Sequence, residues 1–215
     1  MTREYNIHYR ACIGSLIYLL STRVDLIFEV HKLAKFSANP GKVHFEVLVH
    51  VLRCIRYNKT LSLKYYADLN DALVTDLLRQ ANIRTKNHLM AFSDSSWQDC
   101  PDTGRSKGAY IIFYQGGPID HGKHVPGPVA QSSAEIEYNI ACTAGMNLAH
   151  FRMLILELLN EDPDMVPKVA PLFVLDSKSA MCMHFVRNGE KCKMHKIDWC
   201  EGGLQLADIV TNNVS

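Results

Sequence analysis

The chain has 215 residues, 47% apolar and 21% charged, a composition that argues against intrinsic disorder and lets a core form without disulfide or metal staples. Net charge is +1 but unevenly spread: residues 1–66 hold ten Lys/Arg against four Asp/Glu, a balance of +6, and the rest thirteen against eighteen, a balance of −5. That division fits either a basic grip for nucleic acid followed by an acidic metal site, or an ordinary solvated surface. Seven scattered cysteines and no signal-peptide pattern imply an intracellular chain with reduced thiols. The apolar run CIGSLIYLL is too short to span a membrane, so no membrane partner is expected.

Residues 10–57 read mostly as helices. Leu26, Ile27, Val30, Leu33 and Ala34 recur at helical spacing, and SANPGK breaks the pattern at Pro40 and Gly41. A second amphipathic stretch, VHFEVLVHVLRCIRYN, puts Val43, Val47, Leu48, Val51, Leu52 and Ile55 on one face. LSLKYYA is a short strand candidate. A helical module over 1–66 and a connector over 67–87, with one or two helical turns, are expected.

From His88 to Ser215 the grammar is that of an α/β domain. HLMAFSDSS, KGAYIIFYQ and IDHGKHV are strand candidates joined by turn-rich DCPDTGRS and GGP, which predicts an antiparallel meander; VAQ is a short strand candidate after it. A long helix over about 133–160, the buried strand of PLFVLD, a helix, the strand of CKMHKIDW and a terminal helix in LQLADIVTNN complete the order.

Four acids stand out. Asp94 and Asp176 each end an apolar strand, where ligand sites gather in α/β folds, although an Asp there can also cap the next helix. Asp208 shares a helical side with Leu204 and Ala207, or is an exposed helix carboxylate. In SSAEIEY, Ser132 and Glu135 match a capping box, so Glu135 has a sufficient structural role. Glu137 instead heads the stripe Ile140, Ala141, Ala144, Leu148, Phe151, Ile155 and Leu158. Buried there it requires a basic residue or a metal, unless the first helical turn is exposed. Four converging carboxylates would suit Mg²⁺, an oxygen-seeking ion, and two such ions can assist phosphodiester cleavage. Cys182, His184, Cys192, His195 and Cys200 offer zinc donors, but at spacings unlike structural zinc pairs.

On FSDSSW, RSKGAYIIFYQGGPI, AQSSAEIEYNIACTAG, VLDSKSAM and LADIVT, the chain resembles the ribonuclease H domain at the end of a copia-type retrotransposon polyprotein. The stretch from YRACIGSLIYLL to LSLKYY resembles the segment that closes the reverse transcriptase of such elements. The resemblance implies a ribonuclease H-like mixed sheet flanked by helices, behind a small helical module. It implies Mg²⁺-dependent (alternatively Mn²⁺-dependent) hydrolysis of the RNA strand of RNA–DNA hybrids. Asp94, Glu137, Asp176 and Asp208 would be both catalytic and metal ligands, and the polymerase domain of the parent polyprotein a partner. One departure counts against activity and suggests a decayed fragment that keeps the fold and some nucleic-acid binding: only 32 positions separate Asp176 from Asp208, where the family carries a longer stretch. His184 and His195 are the candidates for the histidine that assists turnover in many ribonucleases H.

Overall fold

The computed structural model describes residues 3–68, 73–83, 88–96, 106–124, 132–159, 171–175 and 195–199. Two compact units divide the chain after Leu63.

The first unit is helical: α1 (Arg3–Leu19), a single 3₁₀ turn (Val24–Leu26), α2 (Ile27–Ala34) and α3 (Lys42–Tyr57). Its core joins Ile13, Leu16, Ile27, Val30, Leu33, Leu48 and Val51 around Tyr9, whose hydroxyl donates to the Leu33 carbonyl at 2.9 Å. The buried side of α3 runs through Leu48 and Val51, while Val43, Val47 and Leu52 are exposed, so the apolar face expected for this helix is only partly used. Arg23 is buried and forks onto Asp25 through Nε and Nη2, and its Nη1 donates to the Asn58 carbonyl. That planar fork ties the α1–α2 corner to the end of α3.

The strand expected in LSLKYYA does not form; residues 61–66 are irregular. Tyr65 and Tyr66 are instead held by the second unit, with Tyr66 N–H donating to the Gln115 carbonyl at 2.8 Å and Tyr65 Oη donating to the Pro118 carbonyl at 2.9 Å. One backbone bond and one side-chain bond do not make the ladder that defines a strand. The connector carries α4 (Leu73–Gln80), a two-turn helix.

The second unit is built on a five-stranded mixed sheet of β1 (Leu89–Ser96), β2 (Lys107–Tyr114), β3 (Gly117–His124), β4 (Leu172–Leu175) and β5 (Lys196–Trp199), in the order β3-β2-β1-β4-β5. The first three strands form the antiparallel meander; β4 and β5 are parallel to β1. Between β3 and β4 runs the 26-residue α5 (Ser133–Leu158). This is the α/β, ribonuclease H-like arrangement that the resemblance implies. The β2–β3 turn places both Gln115 (φ 52°) and Gly116 (φ 76°) in the left-handed region, as a two-residue type I′ turn requires. All four residues of β4 are buried, because the strand is covered on both faces, and for that reason it reads as an unbroken apolar run. VAQ, the helix after β4 and LQLADIVTNN fall outside the described residues. No helix among the described residues is long and apolar enough to cross a membrane.

The face of the sheet beneath α5 is contiguous: Leu89, Ala91, Tyr110, Ile112, Phe173, Leu175 and Ile197 pack with Ile140, Ala141, Ala144 and Leu148. One polar group within it is fully used. Tyr110 Oη donates to Asp120 Oδ2 at 3.0 Å and accepts from Asn147 Nδ2 at 2.7 Å, linking β2, β3 and α5. Burial, then the Asp120 charge, push the phenol up to about 12 from 10.0. A raised pKa favours the protonated native state, so this contribution is intact below about pH 10 and is lost as pH rises through about 12. Tyr110→Phe is expected to lower stability by about 1–2 kcal/mol near neutrality. It should also flatten the alkaline loss above pH 10, as read by denaturant unfolding across a pH series.

Candidate functional site

Asp94 lies in the last third of β1 and is 7% exposed. The strand changes character there: Met90, Ala91 and Phe92 give way to Ser93, Asp94, Ser95 and Ser96. Ser93 is in parallel register with Leu175. β1 and β4 are thus aligned at the residues immediately before Asp94 and Asp176. Asp176 and Asp208 themselves lie outside the described residues.

α5 begins where its sequence says. Ser132 is extended (φ −151°, ψ 159°), and its Oγ accepts from Glu135 N–H at 3.2 Å, the first half of the capping box. Glu135 is exposed on the first turn, while Glu137 is half-buried. Ile140, Ala141, Ala144 and Leu148 are buried, and Phe151 and Ile155 pack at the margin of the same core. Leu158, the last residue of the expected stripe, is 73% exposed, so the buried face ends one turn earlier.

The register also fixes the end of the sheet to which α5 delivers Glu137. Ile140 stands against Gly108 of β2, and Gly108 pairs with Ser95, the residue after Asp94. Glu137 precedes Ile140 by less than one helical turn. The faces differ, however. Strand side chains alternate, and α5 covers the face carrying Leu89 and Ala91, so Asp94 shares the opposite face with Met90 and Phe92. Phe92 stacks edge-on with Phe113 on that opposite face, at 5.7 Å. The structure thus brings Asp94 and the first turn of α5 to the same end of the sheet from its two sides.

Both carboxylates offer oxygen alone, the donor type that Mg²⁺ and Mn²⁺ favour. Among the described residues no group of three or more His, Cys, Asp or Glu is gathered as a metal site. His195 stands elsewhere: it is buried before β5, edge-on to Phe173 at 5.6 Å. Lys196 pairs with Leu172, three residues and roughly 10 Å of strand from Leu175. His195 therefore packs at the far end of the parallel strands and does not join the carboxylates. His184 and the zinc candidates Cys182, Cys192 and Cys200 lie outside the described residues.

Two small residues beside Asp94 were not among those expected. Ser95 Oγ is buried with no hydrogen-bond partner among the described residues, and Gly108 opposite it is in close contact with α5. A glycine inside a strand pattern is itself a signal of close backbone approach.

No family model matches the chain. It is 29% identical over 219 residues to the retrovirus-related Pol polyprotein from transposon RE2 of Arabidopsis thaliana, a match covering 96% of this chain and 14% of the polyprotein. An uncharacterised mitochondrial protein of the same plant is 33% identical over 90 residues, covering 42% of this chain and 67% of that one. The N-terminal RNase H domain of Rv2228c from Mycobacterium tuberculosis, solved as a maltose-binding-protein fusion, superposes with a TM-score of 0.37 at 10% identity. That match covers 57% of this chain and 88% of the other, and it is too loose to carry weight.

If the Ser132 hydroxyl anchors the start of α5, Ser132→Ala should cost about 1 kcal/mol, while Ser132→Asp, which keeps an acceptor, should retain most of it; denaturant unfolding measures both. The chain spans about one-seventh of the length of the transposon polyproteins it matches, and the relatives it matches over nearly its whole length are retrovirus-related Pol polyproteins of copia-type transposons.

Proposed function

We propose that this segment acts as the ribonuclease H of a retrotransposon polyprotein, cutting the RNA strand of RNA–DNA hybrids at a carboxylate site formed by Asp94, Glu137, Asp176 and Asp208. The observation that supports this most directly is the β1–β4 register, which pairs the residues before Asp94 and Asp176 at the end of the sheet where α5 begins. Ser132 and Glu135 serve the start of α5, which leaves Glu137 and the buried Asp94 of the central strand as the carboxylates on which this reading rests. Grouped carboxylates repel one another, and each would raise the pKa of its neighbours unless cations neutralise them. Mg²⁺ held there would supply Lewis-acid stabilisation of the scissile phosphate and lower the pKa of an attacking water. The chain's part is to hold oxygen donors at fixed positions: Asp94 and Asp176 from neighbouring strands, Glu137 from the first turn of α5, and Asp208 from the last predicted helix. The hybrid would be recognised through groove shape, phosphates and 2′-hydroxyls more than through base sequence. The polymerase domain of the parent polyprotein would be its covalent partner.

A second reading has its own observation. The 32 positions between Asp176 and Asp208 favour a decayed copy that keeps the fold and binds nucleic acid without cutting it. A labelled RNA–DNA hybrid separates the two. The active enzyme should cut its RNA strand in Mg²⁺, and Asp94→Asn should reduce cleavage by at least the roughly 10–100-fold that even outer-sphere changes cost a metal site. Folded wild-type protein that binds hybrid with a steep salt dependence, yet cuts in neither Mg²⁺ nor Mn²⁺, would establish the decayed reading instead.

A further inference from the structure

We propose that Gly108 is a positioning residue for Glu137: by lacking a side chain it lets the first turns of α5 lie low enough on the sheet for the Glu137 carboxylate to reach the Asp94 end. The inference rests on the metal-binding role proposed for Glu137.

Gly108 is not there for its backbone. The described glycine with positive φ is Gly116, in the β2–β3 turn. Its contribution is space. A Cβ built on Gly108 would stand 2.9 Å from Ile140 Cβ, 3.1 Å from Cγ1 and 3.4 Å from Cδ1. Ile140 is 1% exposed, and its Cβ is fixed to the helix backbone, so no rotamer relieves the contact. Either α5 lifts or β2 bends. Glu137, three residues earlier, lies about 4.5 Å along the same axis and moves with it.

The sheet surface under α5 is graded. Its register pairs run from Gly108–Ser95, through Tyr110–Ser93 and Ile112–Ala91, to Tyr114–Leu89. On the helix, Ile140, Ala141 and Ala144 precede Leu148, Phe151 and Ile155. The smallest pair, Gly108–Ser95, is at the Asp94 end, and the bulkiest, Tyr114–Leu89, at the other. This matters because Asp94 belongs to the face that α5 does not cover. A carboxylate arriving from above must come down to the level of the sheet to share an ion with one projecting below. A misplacement of about 1 Å can cost on the order of 100-fold in rate.

The test uses the full chain and three variants: Gly108→Ala, Glu137→Gln and the pair. Gly117→Ala serves as the control for general destabilisation, because a Cβ there would stand 2.6 Å from the Lys64 carbonyl at the opposite end of β2. Mg²⁺ binding is measured by calorimetry, and cleavage as separate kcat and KM. Gly108→Ala is expected to fold, to weaken Mg²⁺ binding about 10-fold or more, and to lower kcat with little change in KM. Added to Glu137→Gln it should cause no further loss, because both changes disable one group. The proposal is overturned if Gly108→Ala matches Gly117→Ala in Mg²⁺ affinity, or if its effect multiplies with that of Glu137→Gln. Should Gly108→Ala not fold, Ile140→Phe, which adds bulk to the same seat from the helix side, carries the same expectations. Wild-type protein that binds Mg²⁺ but does not cut overturns the catalytic reading alone, and the affinities still decide this one. Wild-type protein that binds no Mg²⁺ overturns both.

Discussion

The seating of α5 on the sheet is the contact on which the rest of the second unit depends. One helix face packs across the sheet, chiefly on β1 and β2, and the same residues that close the core also set where the helix begins and ends over the sheet. Ser132 fixes the starting residue by accepting the Glu135 amide. Asn147 fixes the middle by donating to Tyr110, which is itself held by Asp120 of β3. Between those anchors the helix has little freedom to slide or roll. A carboxylate on its first turn inherits that rigidity, and a preorganised ligand site requires it.

The central strand shows the opposite tendency. β1 begins as an apolar strand buried on both faces and ends as Ser93-Asp94-Ser95-Ser96. Ser93 and Asp94 remain buried. A strand selected for apolar packing alone would continue with Val or Ile. Polar residues thus enter the central strand at the end of the sheet where α5 starts, and local departures from apolar packing tend to collect at functional sites. In the helical unit Arg23, a buried charge among the described residues, is forked onto Asp25 and serves a corner.

Much of this was legible in the sequence, for reasons that differ by element. β4 was readable because a strand covered on both faces is apolar without interruption, and α5 because its period survives over many turns. The different burial of Glu135 and Glu137 followed from helix geometry, since residues two apart do not share a face. LSLKYYA misled because its β-prone residues serve another purpose: Tyr65 and Tyr66 anchor onto the β2–β3 hairpin through long-range contacts that propensity does not encode. The face of Asp94 was also hidden. Alternation says that Asp94 and Ser95 point apart, but only the packed structure says which side α5 covers. His195 was hidden in the same way: its ring is spent on Phe173 at the wrong end of the sheet.

The short span before Asp208 can be weighed with distances alone. Leu175 pairs with Trp199, and Ser93 with Leu175, so the last residue of β5 lies in the same row as the residue before Asp94. Crossing from β5 past β4 to β1 is two strand spacings, about 10 Å. Asp208 follows Trp199 by nine positions, and nine residues can span up to roughly 30 Å when extended. Even with part of that length wound into a helical turn, the chain is long enough to return to the carboxylate end. Chain length after β5 is therefore no obstacle to the four-carboxylate site proposed above.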